Sequence, residues 1–307
     1  MKIVVLGSGT SHGIPVVGCS CPVCTSDDER DKRTRSSVYI EGSGGEGILI
    51  DAGPEFRLQA LRAGIKALDG IFLTHSHADH IHGLDDVRPL SRDKPIPVYG
   101  NEQTISEMIE RFSYVFDPGK SQQGGGKPKL NPRVVDSPVS PVHIGSLSVT
   151  AAPVKHGMLD ILGWEVREKL PREKLPREKS PLEKSPLENA NGSAAGPEKS
   201  FLYLTDTSAI PPATMAQFSG DSRQERIIII GGLRVRPHET HFSFEQALNA
   251  VIGLEAKAIY LTHICHSHSH EEIEEFCLDF RKNHQASARK SETTEIHPAR
   301  DGLELSL

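Results

Sequence analysis

Residues 71–80 read IFLTHSHADH, an apolar run of strand length followed by four metal-capable side chains, His75, His77, Asp79 and His80, within six positions. A chain that leaves a strand through a tight turn into a helix can aim all four at one point. Imidazole nitrogens suit zinc and other first-row divalent cations, and a carboxylate among them suits a site that also handles water. A lone histidine is more often an ordinary surface or core residue. Packing does not explain four at this spacing.

Working outward, the same arrangement recurs: a polar residue at the C-terminal end of an apolar run. His156 in PVKHG, Asp206 in YLTDTS and His263 in LTHICH all stand this way. Apolar runs with turn signals between them predict strands at 2–6, 37–40, 48–51, 71–74, 96–99, 147–151, 162–166, 201–205, 227–230 and 258–262. Helical patterns fall at 55–63, 102–112, 244–254 and 270–283. Strands come in groups before helices intervene, so two packed sheets covered by helices fit better than an alternating, doubly wound sheet.

The chain has 307 residues, enough for one large domain or two small ones with a sizeable core. Its net charge of −6 argues against a surface built to grip nucleic acid backbone. The opening KIVVL is too short for a secretory signal, and no run approaches the roughly 20 apolar residues of a membrane span. Three of the five cysteines crowd into GCSCPVC (18–24), which disfavours a disulfide framework and favours a reducing, cytoplasmic setting. Residues 167–186 are four pentapeptide units, REKLP-REKLP-REKSP-LEKSP, opening a low-complexity insertion over 167–199. Proline at every fifth position forbids a continuous helix, and so polar a segment cannot form a core. A second soft stretch, Lys120 to Pro132, is Gly-rich and reads as a lid or a long loop.

Taken in order and spacing, ILIDAG, LTHSHADH, PVKHG, YLTDTS and LTHICH resemble the metallo-β-lactamase fold superfamily. The resemblance implies a single domain over 1–307 with a four-layer αββα sandwich and a two-metal cleft. It implies that His75, His77 and His156 hold one cation, that Asp79, His80 and His263 hold the other, and that Asp206 bridges them. Two cations about 3.5–4 Å apart can share a water, lower its pKa and stabilise both attacking and leaving oxygens of a displacement. Asp51 in LIDAG is placed by the same resemblance near the metals, with a hydrogen bond to a ligand as its task. The GSGTSHG turn lacks the dinucleotide-binding glycine spacing, and His12 within it is expected only to face the cleft.

GCSCPVC and RPHETHFSF (236–244), with the opening VLGSGTSHGIP, resemble the PhnP type of phosphoribosyl 1,2-cyclic phosphate phosphodiesterases. By that resemblance Cys19, Cys21, Cys24 and His266 hold a structural zinc, while Asp79 and His241 take part in catalysis. Among the residues alone, Cys265 rivals His266 as fourth ligand, with His268 and His270 nearby and Cys277 on a helical apolar face. His238 rivals His241. The implied pattern commonly has an acidic residue where this chain has Gly231 or Gly232.

The expectation is therefore a metal-dependent hydrolase, with two zinc or manganese ions and a structural zinc, cleaving a small cyclic phosphodiester by attack of a metal-bound hydroxide. No nucleic acid or membrane partner is expected, and a homodimer is left open. The alternatives are a PqqB-like protein of oxidative cofactor biosynthesis, an RNase Z-like endonuclease and a non-enzymatic metal-binding protein.

Overall fold

The computed structural model describes residues 1–117, 119, 126–135, 140–168, 199–218, 225–287 and 294–307. All but the ends of the pentapeptide insertion lies outside them.

The first half of the chain forms β1 (Lys2–Gly7), β2 (Ser37–Glu41), β3 (Gly47–Ile50), α1 (Phe56–Ala63), β4 (Gly70–Phe72), α2 (Ala78–Ile81), β5 (Ile96–Gly100), α3 (Glu102–Arg111), α4 (Ser113–Phe116) and β6 (Leu130–Val134). The second half forms β7 (Val142–Ile144), β8 (Leu147–His156), β9 (Leu159–Glu168), β10 (Lys199–Leu204), α5 (Pro212–Phe218), β11 (Glu225–Gly231), α6 (Phe244–Val251), β12 (Ala258–Thr262), α7 (His270–Ser287) and β13 (Glu295–Pro298). The last strand, β14 (Glu304–Ser306), returns to pair with β1. The strand orders are β14-β1-β2-β3-β4-β5-β6 in one sheet and β13-β12-β11-β10-β9-β8-β7 in the other.

The sequence dictates the layering through its period of two. Along β11, Ile227 and Ile229 enter the core between the sheets, whereas Ile228 and Ile230 face α5, α6 and α7. In β1, Ile3 and Val5 take the inner side and Val4 and Leu6 the side covered by α1 and its neighbours. A strand buried on both faces reads as an unbroken apolar run, which is what IIII and IVVL are. Each such side chain removed from water contributes roughly 1.5–3 kcal/mol, so sliding a strand by one residue would exchange two well-packed faces. The result is the expected αββα sandwich.

Several boundaries depart from the sequence reading. The strand expected at 147–151 runs to His156, because it pairs along its whole length with β9 in a long hairpin. The end of the Lys120–Pro132 stretch is not loop: Leu130 to Val134 is β6, an edge strand parallel to β5, where Pro132 is tolerated because one side of an edge strand needs no donor.

The parallel strands of both sheets set up the site. Strands β3, β4 and β5 run parallel in one sheet, and β10, β11 and β12 in the other. Asp51 follows β3, the His75–His80 motif follows β4, Asp206 follows β10 and His263 follows β12. Helix α6 starts with a full capping box between Ser243 and Gln246, fixing where the chain leaves the His241 segment.

Candidate metal centre

Three non-glycine residues among those described hold a left-handed backbone: Asp51 (φ 62°), Asp206 (φ 53°) and His263 (φ 56°). Each stands just past a strand, where the turn throws its side chain toward one place. Such conformations cost about 1–3 kcal/mol each and persist where the surroundings enforce them.

The side chains gather in overlapping groups whose ligand atoms lie within 4.8 Å of one another: His75, His77 and His156; Asp79, His80, Asp206 and His263; and His156, Asp206 and His241. His80 Nε2 lies 3.1 Å from both Asp79 Oδ2 and Asp206 Oδ2, and His263 Nε2 lies 2.9 Å from Asp206 Oδ1. Neither nitrogen makes a hydrogen bond, although both are buried. Buried imidazole nitrogens close to carboxylates but out of line for hydrogen bonding are the donor set a divalent cation takes up. The residues are a donor set that could hold metal ions, and the structure brings together here side chains that were named from the sequence.

Contacts behind the ligands fix their tautomers. His80 Nδ1 donates to Asp51 Oδ2 at 2.7 Å, so that in the neutral ring it is Nε2 that carries the lone pair toward the cluster. Asp51, fully buried, also accepts from the Thr74 backbone N–H and the Thr74 hydroxyl, each at 2.8 Å. His156 Nδ1 donates to the Thr240 carbonyl at 2.8 Å. Ser76, between His75 and His77, is tied to α3: its hydroxyl donates to Glu107 at 2.5 Å and its carbonyl accepts from Arg111. Thr74, Thr240, Glu107 and Arg111 had no signal of their own in the sequence. Only Thr74, inside the LTH string, stood beside one.

Burial opposes the charged form of His80, but Asp79, Asp51 and Asp206 together hold its pKa well above the ordinary histidine value. The same competition raises His263 to about 9. A cation entering the centre therefore displaces protons. For His241 burial wins, with help from His263, and its pKa falls to about 3. His241 is thus a neutral imidazole, ring-stacked 4.9 Å from His263, with Nδ1 3.7 Å from Asp206 Oδ1. His238 lies further out and is exposed.

A second cluster joins the N-terminal cysteines to the far end of the chain. Sγ atoms of Cys19, Cys21 and Cys24 lie 3.4, 3.5 and 3.4 Å from His266 Nδ1. A hydrogen bond from the Cys24 backbone lowers Cys21 to about 6, whereas burial raises Cys24 to about 11. Of the rivals, Cys265 Sγ instead meets Ser267 Oγ at 3.1 Å, and Cys277 is buried in α7 against the second sheet. His268 packs on Phe244, and the backbone N–H of His270 donates to Asp31. Arg33, fully buried, pairs with Asp31 at 2.9 Å and donates to the carbonyls of Cys265 and His268, flanking His266. His12 is exposed in its turn. Gly231 and Gly232 are buried, and a Cβ on Gly231 would approach the Asp206 backbone nitrogen to 2.9 Å.

An αββα sandwich with a histidine and aspartate cluster at strand ends defines a class of metal-binding proteins. Comparison with known proteins agrees: the model of the β-lactamase superfamily domain matches residues 47–264, and the chain belongs to that superfamily. It is 32% identical over 305 residues to a protein named octanoyltransferase from Porphyromonas gingivalis, matching 99% of this chain and 51% of that protein. It is 30% identical over 167 residues to a coenzyme PQQ synthesis protein B from Methylobacterium radiotolerans, matching 50% of this chain and 52% of that one. The chain thus spans about half the length of these curated relatives. Among solved structures, a diphosphatase from the PhnP family superposes with a TM-score of 0.73 at 32% identity, covering 100% of this chain and 97% of that one. No helix among the described residues is long and apolar enough to cross a membrane.

Proposed function

We propose that this protein is a metal-dependent phosphohydrolase acting on a small phosphodiester such as a cyclic ribosyl phosphate. The observation that carries the reading is the filled set of seven ligands with stranded ring nitrogens, beside a neutral, half-buried His241. His75, His77 and His156 would hold one cation, Asp79, His80 and His263 the second, and Asp206 would bridge. Two divalent cations, zinc or manganese, would lower the pKa of water and stabilise charge on phosphoryl oxygens. Asp51, Thr74 and Thr240 orient the imidazoles, so their lone pairs face the centre before substrate arrives.

His241 offers its N–H to the phosphoryl group. An incoming phosphate adds negative charge beside that ring and favours its protonation, so His241 can pass a proton to the departing oxygen. The cluster of Cys19, Cys21, Cys24 and His266 suits a structural zinc, because four protein donors leave no open position for water. It ties the GCSCPVC loop to the segment carrying His263.

The likeness to a PhnP-family diphosphatase over nearly the whole of both chains supports phosphoryl chemistry. The name octanoyltransferase describes a protein about twice as long, of which this chain matches 51%. The match to coenzyme PQQ synthesis protein B supports a second reading, oxidative chemistry at a metal. Protein stripped of metal should not hydrolyse cyclic phosphodiesters and should regain turnover with zinc or manganese. His241→Ala should keep its metals and lose about 10²- to 10⁴-fold in kcat. Iron-dependent oxygen uptake without phosphodiester turnover would favour the second reading instead.

A further inference from the structure

The string LTDT (204–207) places a threonine on each side of Asp206, and neither is a metal ligand. Both are fully buried. A buried hydroxyl costs free energy unless it is hydrogen-bonded, so valine, with nearly the same shape, would serve better if packing were the only demand.

The two hydroxyls restrain different parts of Asp206. The hydroxyl of Thr207 is shared between the carbonyls of Leu204, at 3.2 Å, and Thr205, at 3.1 Å. It thereby ties down the turn in which Asp206 takes its left-handed backbone, φ 53°. Fixing the backbone does not fix the carboxylate, because the torsion that turns its plane is broad for aspartate. Thr205 supplies that restraint: its Oγ1 donates to Asp206 Oδ2 at 2.9 Å, the one hydrogen bond the carboxylate accepts among the described residues.

The plane matters more for Asp206 than for any other member of the cluster. It is the side chain common to the group with Asp79, His80 and His263 and the group with His156 and His241. Its Oδ2 lies 3.1 Å from His80 Nε2, and its Oδ1 lies 2.9 Å from His263 Nε2 and 3.7 Å from His241 Nδ1. An ionised carboxylate has about four acceptor positions, two on each oxygen, and Thr205 occupies one on Oδ2. Lone pairs remain on both oxygens, directed to the two sides of the centre.

We infer that Thr205 is a positioning residue of the metal centre, whose hydroxyl sets the plane of the Asp206 carboxylate so that each oxygen serves a different cation. The inference rests on the two-cation reading of the site. Without the donor the plane can turn until both oxygens face one cation, and the other loses its shared ligand.

The test loads full-length protein with manganese(II) and reads metal binding, apart from turnover. Wild type should bind two equivalents and show the electron paramagnetic resonance signal of a spin-coupled pair. Thr205→Val and Thr205→Ala both remove the hydroxyl. Each should weaken binding of one manganese by on the order of 10- to 100-fold and raise the share of uncoupled manganese when two equivalents are added. Thr205→Ser keeps the donor and should restore both readings. Affinities within about twofold of wild type and an intact coupled signal, in either hydroxyl-free variant with an unchanged melting temperature, would overturn the role of Thr205 and leave the two-cation reading standing. A serine variant as weak as the alanine one would assign the effect to the lost methyl group and overturn it as well. A single manganese, or none, in wild type would remove the two-cation reading and the inference with it.

Discussion

Replacing Asp51 by Asn tests how the metal centre is built. Asparagine has the same shape and tolerates the left-handed backbone at φ 62°, so the exchange changes chemistry without adding strain. In the native protein the carboxylate accepts three hydrogen bonds, two from Thr74 at 2.8 Å and one from His80 Nδ1 at 2.7 Å. An amide can keep the Thr74 backbone bond through its oxygen, but its NH₂ then faces both the Thr74 hydroxyl and His80 Nδ1. Two donors meeting at Nδ1 force His80 to accept there and to carry its proton on Nε2, the nitrogen that points into the cluster. The lone pair needed for a cation is then blocked. Loss of such a contact behind a ligand costs about 10- to 100-fold in metal affinity. The hydroxyl rotates to accept, so the stability cost stays near the 1–3 kcal/mol of one disturbed buried hydrogen bond. Titration calorimetry with zinc against a competing chelator measures the affinity, and turnover at limiting and excess metal provides a second readout. The expected outcome is one weakened site and activity partly restored by excess metal. Two cations bound with wild-type affinity in Asp51→Asn would refute the tautomer argument.

Other perturbations address separate parts of the molecule. Cys19→Ser should lose one equivalent of tightly held zinc that survives chelation in wild type, with the histidine and aspartate centre still loading; an unchanged zinc count would show that the cysteines bind no ion. Arg33→Met leaves Asp31 as a buried charge without its partner and should cost about 3–5 kcal/mol in denaturant unfolding, part of which Asp31→Asn in the same chain should recover. Glu107→Ala frees the turn at Ser76 between His75 and His77 and should weaken metal binding about 10-fold with helix content unchanged by circular dichroism. Burial, with Arg30 and Arg33 nearby and Glu274 opposing, lowers His270 to about 4. The folded protein resists protonating it while the unfolded chain accepts a proton below about 6.5, so its contribution to stability is complete above that pH and fades down to pH 4. His270→Gln should flatten the fall in melting temperature across that window, and an unchanged slope would exclude the residue.

Much of this architecture is written locally in the chain. The alternation in IVVL and IIII marks strands buried on both faces, and polar residues directly after such strands mark where a site collects. The short edge strands were harder to read: β7, β13 and β14 hold three or four residues each, and β6 carries a proline. Their pairing comes from neighbours far along the chain and not from their own composition. GCSCPVC was legible as three ligands lacking a fourth, and local sequence could not choose between adjacent Cys265 and His266. In the structure the backbone turn at His263 sends His266 to the three thiols, while Cys265 meets Ser267.

The sequence by itself determined the layered class of the fold and the chemical types and order of the side chains at the strand ends, because hydrophobic periodicity and residue identity are local properties. Tertiary structure decided which way each ring faces and which of two similar histidines enters the centre. His238 and His241 are three residues apart with the same side chain, and one stacks on His263 while the other stands in solvent beside two arginines. That choice is set by the closure of the loop between Leu233 and Phe242 and by Thr240 holding His156, 84 residues away along the chain. Proton positions on the imidazoles follow from the same distant partners, Asp51 and Thr240, and so do the lone pairs on which the proposed chemistry depends.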